Sequence, residues 1–107
     1  MNQVFAEREI LVEDPEGNTF LTKIQFGTPH ESEKRGWLCD VSIIGVEKDH
    51  YGAGQDSLQA IMLTLSLCES ILLSKIDKGW KFFFPDTKEV MEVTEMFNLN
   101  SFVSIRK

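Results

Sequence analysis

Apolar and polar residues alternate from Phe5 to Val12, which predicts a strand with Ala6, Ile10 and Val12 on one face and Glu7, Glu9 and Leu11 on the other. Arg8 falls on the otherwise apolar face. Asp14-Pro15-Glu16-Gly17-Asn18 follows as a turn, because proline fixes φ early and glycine admits a positive φ later. Alternation resumes from Thr19 to Phe26, with Phe20, Ile24 and Phe26 facing one way and Lys23 and Gln25 the other. Two alternating runs around a short Pro/Gly turn make a hairpin. The polar stretch Gly27 to Gly36 reads as an exposed loop. Trp37 to Val46 reads as a third strand, with Trp37, Cys39, Val41 and Ile43 on one face, and Glu47 to Gln55 as a second loop.

The period then changes from two to about 3.6. Asp56-Ser57-Leu58-Gln59 opens a helix with a capping-box arrangement, Asp56 accepting from a backbone N–H and Gln59 reaching back. Leu58, Ile61, Met62, Leu65, Cys68 and Leu72 repeat at helical spacing, and Leu63, Leu67 and Ile71 widen the stripe, so a deeply packed helix is expected. A charge at Leu65 should then cost several kcal/mol, as unpaired buried charges do. Lys75 and Lys78 suit the negative end of the helix dipole, and Gly79 suits a left-handed cap. Trp80 to Phe84 is a short apolar strand ended by Pro85. Asp86-Thr87-Lys88-Glu89 with Val90, Val93 and Phe97 predicts a short second helix, and Phe102 to Ile105 an edge strand or a fraying end. Strands first and helices later define an α+β domain. Its antiparallel meander of three to four strands packs on one long helix through Phe20, Ile24, Phe26, Val41 and Ile43.

A length of 107 residues suits a single domain spanning 1–107. The 42% hydrophobic share is too high for a disordered chain. Met1 to Val12 contains Glu7, Arg8 and Glu9 and so lacks the uninterrupted apolar run of a secretory signal. Leu58 to Leu73 is interrupted by Gln59, Thr64, Ser66, Glu69 and Ser70, which favours a buried helix over a membrane span. Cys39 and Cys68 read as free, core-filling thiols, and a cytoplasmic location is expected.

Signals for catalysis or cofactors are weak. Gly52-Ala53-Gly54 precedes a helix but lacks the third glycine of a dinucleotide fingerprint and the Lys-Ser/Thr of a P-loop, so it reads as a flexible connection. Asp56 would also place a carboxylate where an anion should sit. His30 and His50, the only histidines, have no close ligand pair for zinc. Ser57 lacks a nucleophile elbow and neither cysteine has a neighbouring base, so no enzyme, cofactor or metal is expected.

Charge is more informative. The net charge is -6, and residues 1–56 hold eleven acids against five bases, whereas residues 57–107 hold six of each. An acidic surface excludes direct nucleic-acid binding, which needs a basic stripe. An oriented negative field instead speeds association with a basic protein. The carboxylates placed to meet such a partner are Glu31, Glu33 and Asp49, with Glu13, Asp14 and Glu16 of the first turn. Tyr51 is the aromatic anchor, while Trp37 suits the core.

Tyr51-Gly52-Ala53-Gly54-Gln55-Asp56-Ser57-Leu58-Gln59-Ala60, followed by Leu63 and Leu65, resembles a group of small bacterial domains of unknown function. In that group a strand meander leads through a similar Tyr-Gly…Asp-Ser-Leu-Gln-Ala segment into a long apolar helix. The resemblance covers Phe5 to Trp80; it implies the fold and no activity. In size and charge the chain is also similar to the immunity proteins that accompany bacterial toxins, including those of contact-dependent growth inhibition. That second resemblance implies a monomeric or weakly dimeric, non-enzymatic inhibitor of a cognate basic toxin, a nuclease in many cases. Two alternatives remain: a small-molecule-binding domain or minor enzyme with a helix–sheet pocket reached by His50 or Tyr51, and a structural module that dimerises through a sheet edge.

Overall fold

The structure, a computed structural model, describes residues 3–97. In chain order the elements are β1 (Val4–Glu13), β2 (Thr19–Gly27), β3 (His30–Ser32), β4 (Gly36–Ile43), β5 (Glu47–Gly54), α1 (Ser57–Asp77), β6 (Lys81–Phe83) and α2 (Val93–Met96). All strands join one antiparallel sheet under a single long helix, an α+β fold with six strands where sequence suggested three or four.

The first hairpin forms where alternation placed it, with Leu11 opposite Leu21 and Val12 opposite Phe20. Its turn is closed by Asp14, whose Oδ1 accepts from the N–H groups of Glu16 and Asn18 at 2.9 Å. Direct cross-strand partners share a face, so Ile10, Val12, Ile24, Val41 and Ile43 all point toward α1 and form the sheet side of the core. Phe20 and Phe26 only pack against its edge.

Two stretches predicted as loops pair into the sheet instead. Within Gly27 to Gly36, His30–Ser32 pairs with Gly36–Leu38 of β4. The predicted third strand ends at Ile43, and a two-residue Ile44–Gly45 turn follows, closed by the Val46 N–H donating to the Ile43 carbonyl at 3.0 Å. The predicted second loop then returns as β5 along β4. β5 takes one edge of β4, and β2 and β3 lie end to end along the other. The lateral order is therefore β5–β4–(β2, β3)–β1–β6.

Gly52 and Gly54 explain why β5 escaped notice. They face Cys39 and Trp37 across the ladder and lie directly under α1. A Cβ on Gly52 would collide with the Thr64 hydroxyl and come within 2.7 Å of the Thr64 backbone nitrogen; one on Gly54 would come within 2.6 Å of the Ala60 nitrogen. These glycines form a rigid crossing point rather than a flexible connection, and an apolar/polar alternation has no apolar half where the inward residue must be glycine.

α1 is capped as expected at its start: the Gln59 N–H donates to Asp56 Oδ1 at 2.8 Å, and Gln59 Oε1 accepts from the Gln55 N–H. At its end the Gly79 N–H reaches the Ile76 carbonyl and the Trp80 N–H the Lys75 carbonyl, both at 3.0 Å, a Schellman motif. Its packing differs from expectation. The buried line is Ala60, Thr64, Cys68 and Leu72, small residues for most of its length because the helix lies so close to β5. Leu65 is only half-buried, so the cost expected for a charge there transfers to Leu72. By length and composition alone α1 could cross a membrane, yet it lies across β4 and β5.

Thr64 ties the three elements together. Its hydroxyl accepts from the Gly52 N–H at 2.9 Å and shares its single proton between the carbonyls of Cys39 and Ala60, each at 2.8 Å. Gly52 and Cys39 are direct partners in the β4–β5 register, so one hydroxyl links a donor of β5 to an acceptor of β4. Both cysteines are free and buried, and burial pushes the Cys68 thiol up to about 12.

After β6 the Met91 N–H donates to the Phe82 carbonyl at 2.9 Å, and Met91 and Val93 complete the core. Where the short C-terminal helix was expected there is a single turn, Val93–Met96. The proposed edge strand at Phe102 to Ile105 lies outside the described residues.

Candidate functional site

The seven residues expected to meet a partner fall into two groups. Glu13, Asp14 and Glu16 sit at the β1–β2 turn. Glu31 lies on β3, Glu33 in the β3–β4 turn, and Asp49 and Tyr51 on the edge strand β5. From Thr19 to Ser32 the chain runs in one direction, which at ~3.3 Å per residue puts Glu31 and Glu33 roughly 40 Å from the first turn, with Asp49 and Tyr51 level with the end of β2 in between. The two groups do not form one patch.

The first group is largely committed to the fold. Glu13 lies 3.6 Å from Lys81. The Asn18 N–H, aided by the Asn18 side-chain amide and the Glu16 N–H, holds the Asp14 carboxyl below its ordinary range. Elsewhere on the sheet Glu7 pairs with Lys23 at 2.9 Å, which lowers its pKa. Glu47 lies 3.4 Å from both Lys75 and His50. Burial pushes the Glu47 carboxyl up, but the contacts with His50 and Lys75 together outweigh it and the net shift is downward. Lysines thus offset part of the acidic half.

The second group is different. Glu31, Glu33 and Asp49 are exposed and form no ion pair among the described residues. Tyr51 is 43% exposed, stands directly opposite Asp40, and is fixed by Arg35. The guanidinium donates to the phenol oxygen and also lies 5.5 Å from the ring centroid. A fixed, exposed aromatic ring can anchor a contact with little ordering cost; Glu31, opposite Trp37, projects from the other face of the sheet. Sequence reading missed Arg35 and Asp40 because their meeting with Tyr51 depends on β5. His30 lies on the same outer face, opposite Leu38, with its Nδ1 buried and without a hydrogen-bond partner.

On the other face, a groove of about 400 Å³ opens between the sheet and α1. Arg8 and Ile24 form its floor, Met62, Leu65 and Glu69 one wall, and Phe97 the other. This is where Arg8, the odd residue of the first strand, is placed. Neither His50 nor Tyr51 reaches the groove. Among the described residues no group of three or more His, Cys, Asp or Glu could hold a metal ion.

Fold and surface together define a small α+β domain with a six-stranded antiparallel sheet under one helix. The family model Domain of unknown function (DUF6968) matches residues 6–82, and the chain belongs to that family. The match spans β1 through most of β6 and includes both the β5 glycines and α1. No curated protein and no solved structure matches the chain.

Proposed function

We propose that this chain is a non-enzymatic binding protein for a basic protein, and more narrowly an immunity protein that neutralises a cognate basic toxin in the cytoplasm. The observation that carries this reading is the Tyr51 site. An exposed ring pinned by Arg35 on an edge strand lies in the same half of the sheet as Glu31, Glu33 and Asp49, which are exposed and held by no lysine among the described residues. Those carboxylates would occupy a basic cleft in the positions a nucleic-acid substrate's phosphates take, and the ring would anchor the contact. The net charge of -6 supports the same partner class through long-range attraction, and two buried, unbridged thiols suit a reducing compartment.

Affinity purification from the source cells, followed by mass spectrometry, tests this. The native chain should retain a basic protein that a Glu31→Lys, Glu33→Lys, Asp49→Lys variant releases. Equal retention by that variant would overturn the residue assignment, and recovery of only acidic proteins would overturn the partner class. A second reading, small-molecule binding, is favoured by the α1–sheet groove alone. It predicts a saturable ligand whose affinity falls in Arg8→Ala and is indifferent to the triple reversal.

A further inference from the structure

The groove between the sheet and α1 holds two opposite charges that do not meet. α1 lies across β4 and β5, and β6 pairs only with Leu11–Glu13 of β1, which leaves the inner face around Arg8 and Ile24 open along the groove. Arg8 stands directly opposite Ile24, which is 2% exposed, so the arginine leaves the sheet on the helix side. Alternation would place an apolar residue there. Ser66 and Glu69 approach from α1, three residues apart and so on one stripe of the helix. Neither Arg8 nor Glu69 forms an ion pair among the described residues. The surface beside them is apolar, made by Phe26, Met62, Leu65 and Phe97. Met62 lies seven residues before Glu69, about 10 Å along the helix at 1.5 Å per residue. The groove therefore has an apolar length next to its charged part.

We propose that this groove binds a small zwitterion with one large apolar side chain, the chemistry of an apolar α-amino acid. The ligand's carboxylate meets the Arg8 guanidinium. Its ammonium meets the Glu69 carboxylate, with the Ser66 hydroxyl beside it. Its side chain lies against Phe26, Met62, Leu65 and Phe97. The inference rests on the small-molecule reading of the groove and narrows it to one ligand class. It is independent of the Tyr51 site.

Charge complementarity separates this class from the others. A simple carboxylate or phosphate would meet Arg8 but be repelled by Glu69. A nucleotide would bring several negative charges to one guanidinium with an acid beside it. An amine alone would meet Glu69 and be repelled by Arg8. A neutral apolar molecule would fill the walls while partly desolvating two charges that it cannot pair, which costs free energy. A zwitterion gives each charge an opposite partner. The guanidinium fork binds a carboxylate through two parallel N–H···O bonds, which fixes the ligand's orientation as well as its charge. Two phenylalanine rings and a methionine thioether in the walls favour an aromatic side chain on the ligand. The volume of about 400 Å³ falls within the roughly 300–1,000 Å³ of small-molecule sites.

A nuclear magnetic resonance titration of the full chain with L-phenylalanine reads affinity and location together. The amide signals of Ile24, Leu65, Ser66 and Glu69 should shift saturably, and those of Asp49 and Tyr51 should remain unchanged. Hydrocinnamate lacks the ammonium and 2-phenylethylamine lacks the carboxylate, so each should bind at least about tenfold more weakly, having lost one charge-assisted contact. Two variants then cross with these ligands. Arg8→Met should bind L-phenylalanine no better than 2-phenylethylamine, and Glu69→Gln should bind it no better than hydrocinnamate. A substitution that merely disturbed the fold would weaken all three ligands alike. Preferences that persist in both variants overturn the role of the two charges. Benzyl alcohol binding as tightly as L-phenylalanine overturns the ligand class and leaves the small-molecule reading standing. Groove signals that respond to none of these probes overturn both.

Discussion

Replacing Thr64 by valine keeps the shape of the side chain and removes only the hydroxyl that joins α1, β4 and β5. The site is fully buried, so water cannot take the hydroxyl's place without opening the crossing. The Gly52 N–H, which donates to the hydroxyl at 2.9 Å, loses its partner, and a buried donor left unpaired costs about 1–3 kcal/mol. The Cys39 carbonyl loses a 2.8 Å bond as well, whereas the Ala60 carbonyl keeps its helical N–H. The total should be about 2–4 kcal/mol, a large share of the roughly 5–15 kcal/mol that stabilises a typical domain. Urea denaturation followed by tryptophan fluorescence should show a lower midpoint with an unchanged slope, the signature of lost stability without a changed unfolded state. Thr64→Ser, which keeps the hydroxyl, should lose only about 1 kcal/mol for the missing methyl group. If Thr64→Val denatures within about 0.5 kcal/mol of the native chain, the hydroxyl does not hold the crossing and the packing of α1 has another cause.

Three further outcomes are expected. Gly52→Ala should destabilise by about 1–3 kcal/mol or more, because the backbone it meets cannot move aside. Gly17→Ala, with φ +89° but open space around it, should cost only the backbone strain, and thermal melts of the two compare them. The lowered Glu47 pKa means that its ion pairs stabilise the fold above the unfolded carboxyl's value and stop doing so as the pH falls through the folded one. Glu47→Gln should therefore be less stable than the native chain at neutral pH, with the gap closing below pH 4.5 in pH-dependent urea melts. Leu72→Asp should prevent cooperative unfolding or cost several kcal/mol, while Leu65→Lys, at the groove wall, should leave the circular dichroism melt close to native.

The parts of the fold that were legible in the sequence are those where local chemistry and tertiary packing agree. Alternation around Asp14-Pro15-Glu16-Gly17-Asn18 gave the first hairpin its register, and Asp56, Gln59 and Gly79 bounded α1. β5 was illegible because two of its inward positions are Gly52 and Gly54, which leave no apolar half to alternate with the polar one. The buried line of α1 was illegible for a related reason. Leucine, isoleucine and methionine lie nearly all round the helix, so periodicity cannot choose a side; the choice is made by the room that Gly52 and Gly54 leave for Ala60 and Thr64. At the candidate site the residue types were readable but their availability was not. Asp14 looked like a partner-facing acid and closes a turn, and Glu13 looked free and meets Lys81. Tyr51 was chosen for its chemistry, but the Arg35 contact that fixes it depends on a strand pairing the sequence did not reveal.

The functional account rests on attraction between Glu31, Glu33 and Asp49 and a positively charged protein, and association kinetics measure that attraction most directly. Stopped-flow mixing of the chain with the basic protein it retains should give a rate constant that falls steeply as salt is added. Reversing Glu31, Glu33 and Asp49 together should slow association at low salt by at least about tenfold and flatten the salt dependence. Rates and salt slopes that coincide for the native and reversed chains would contradict the account.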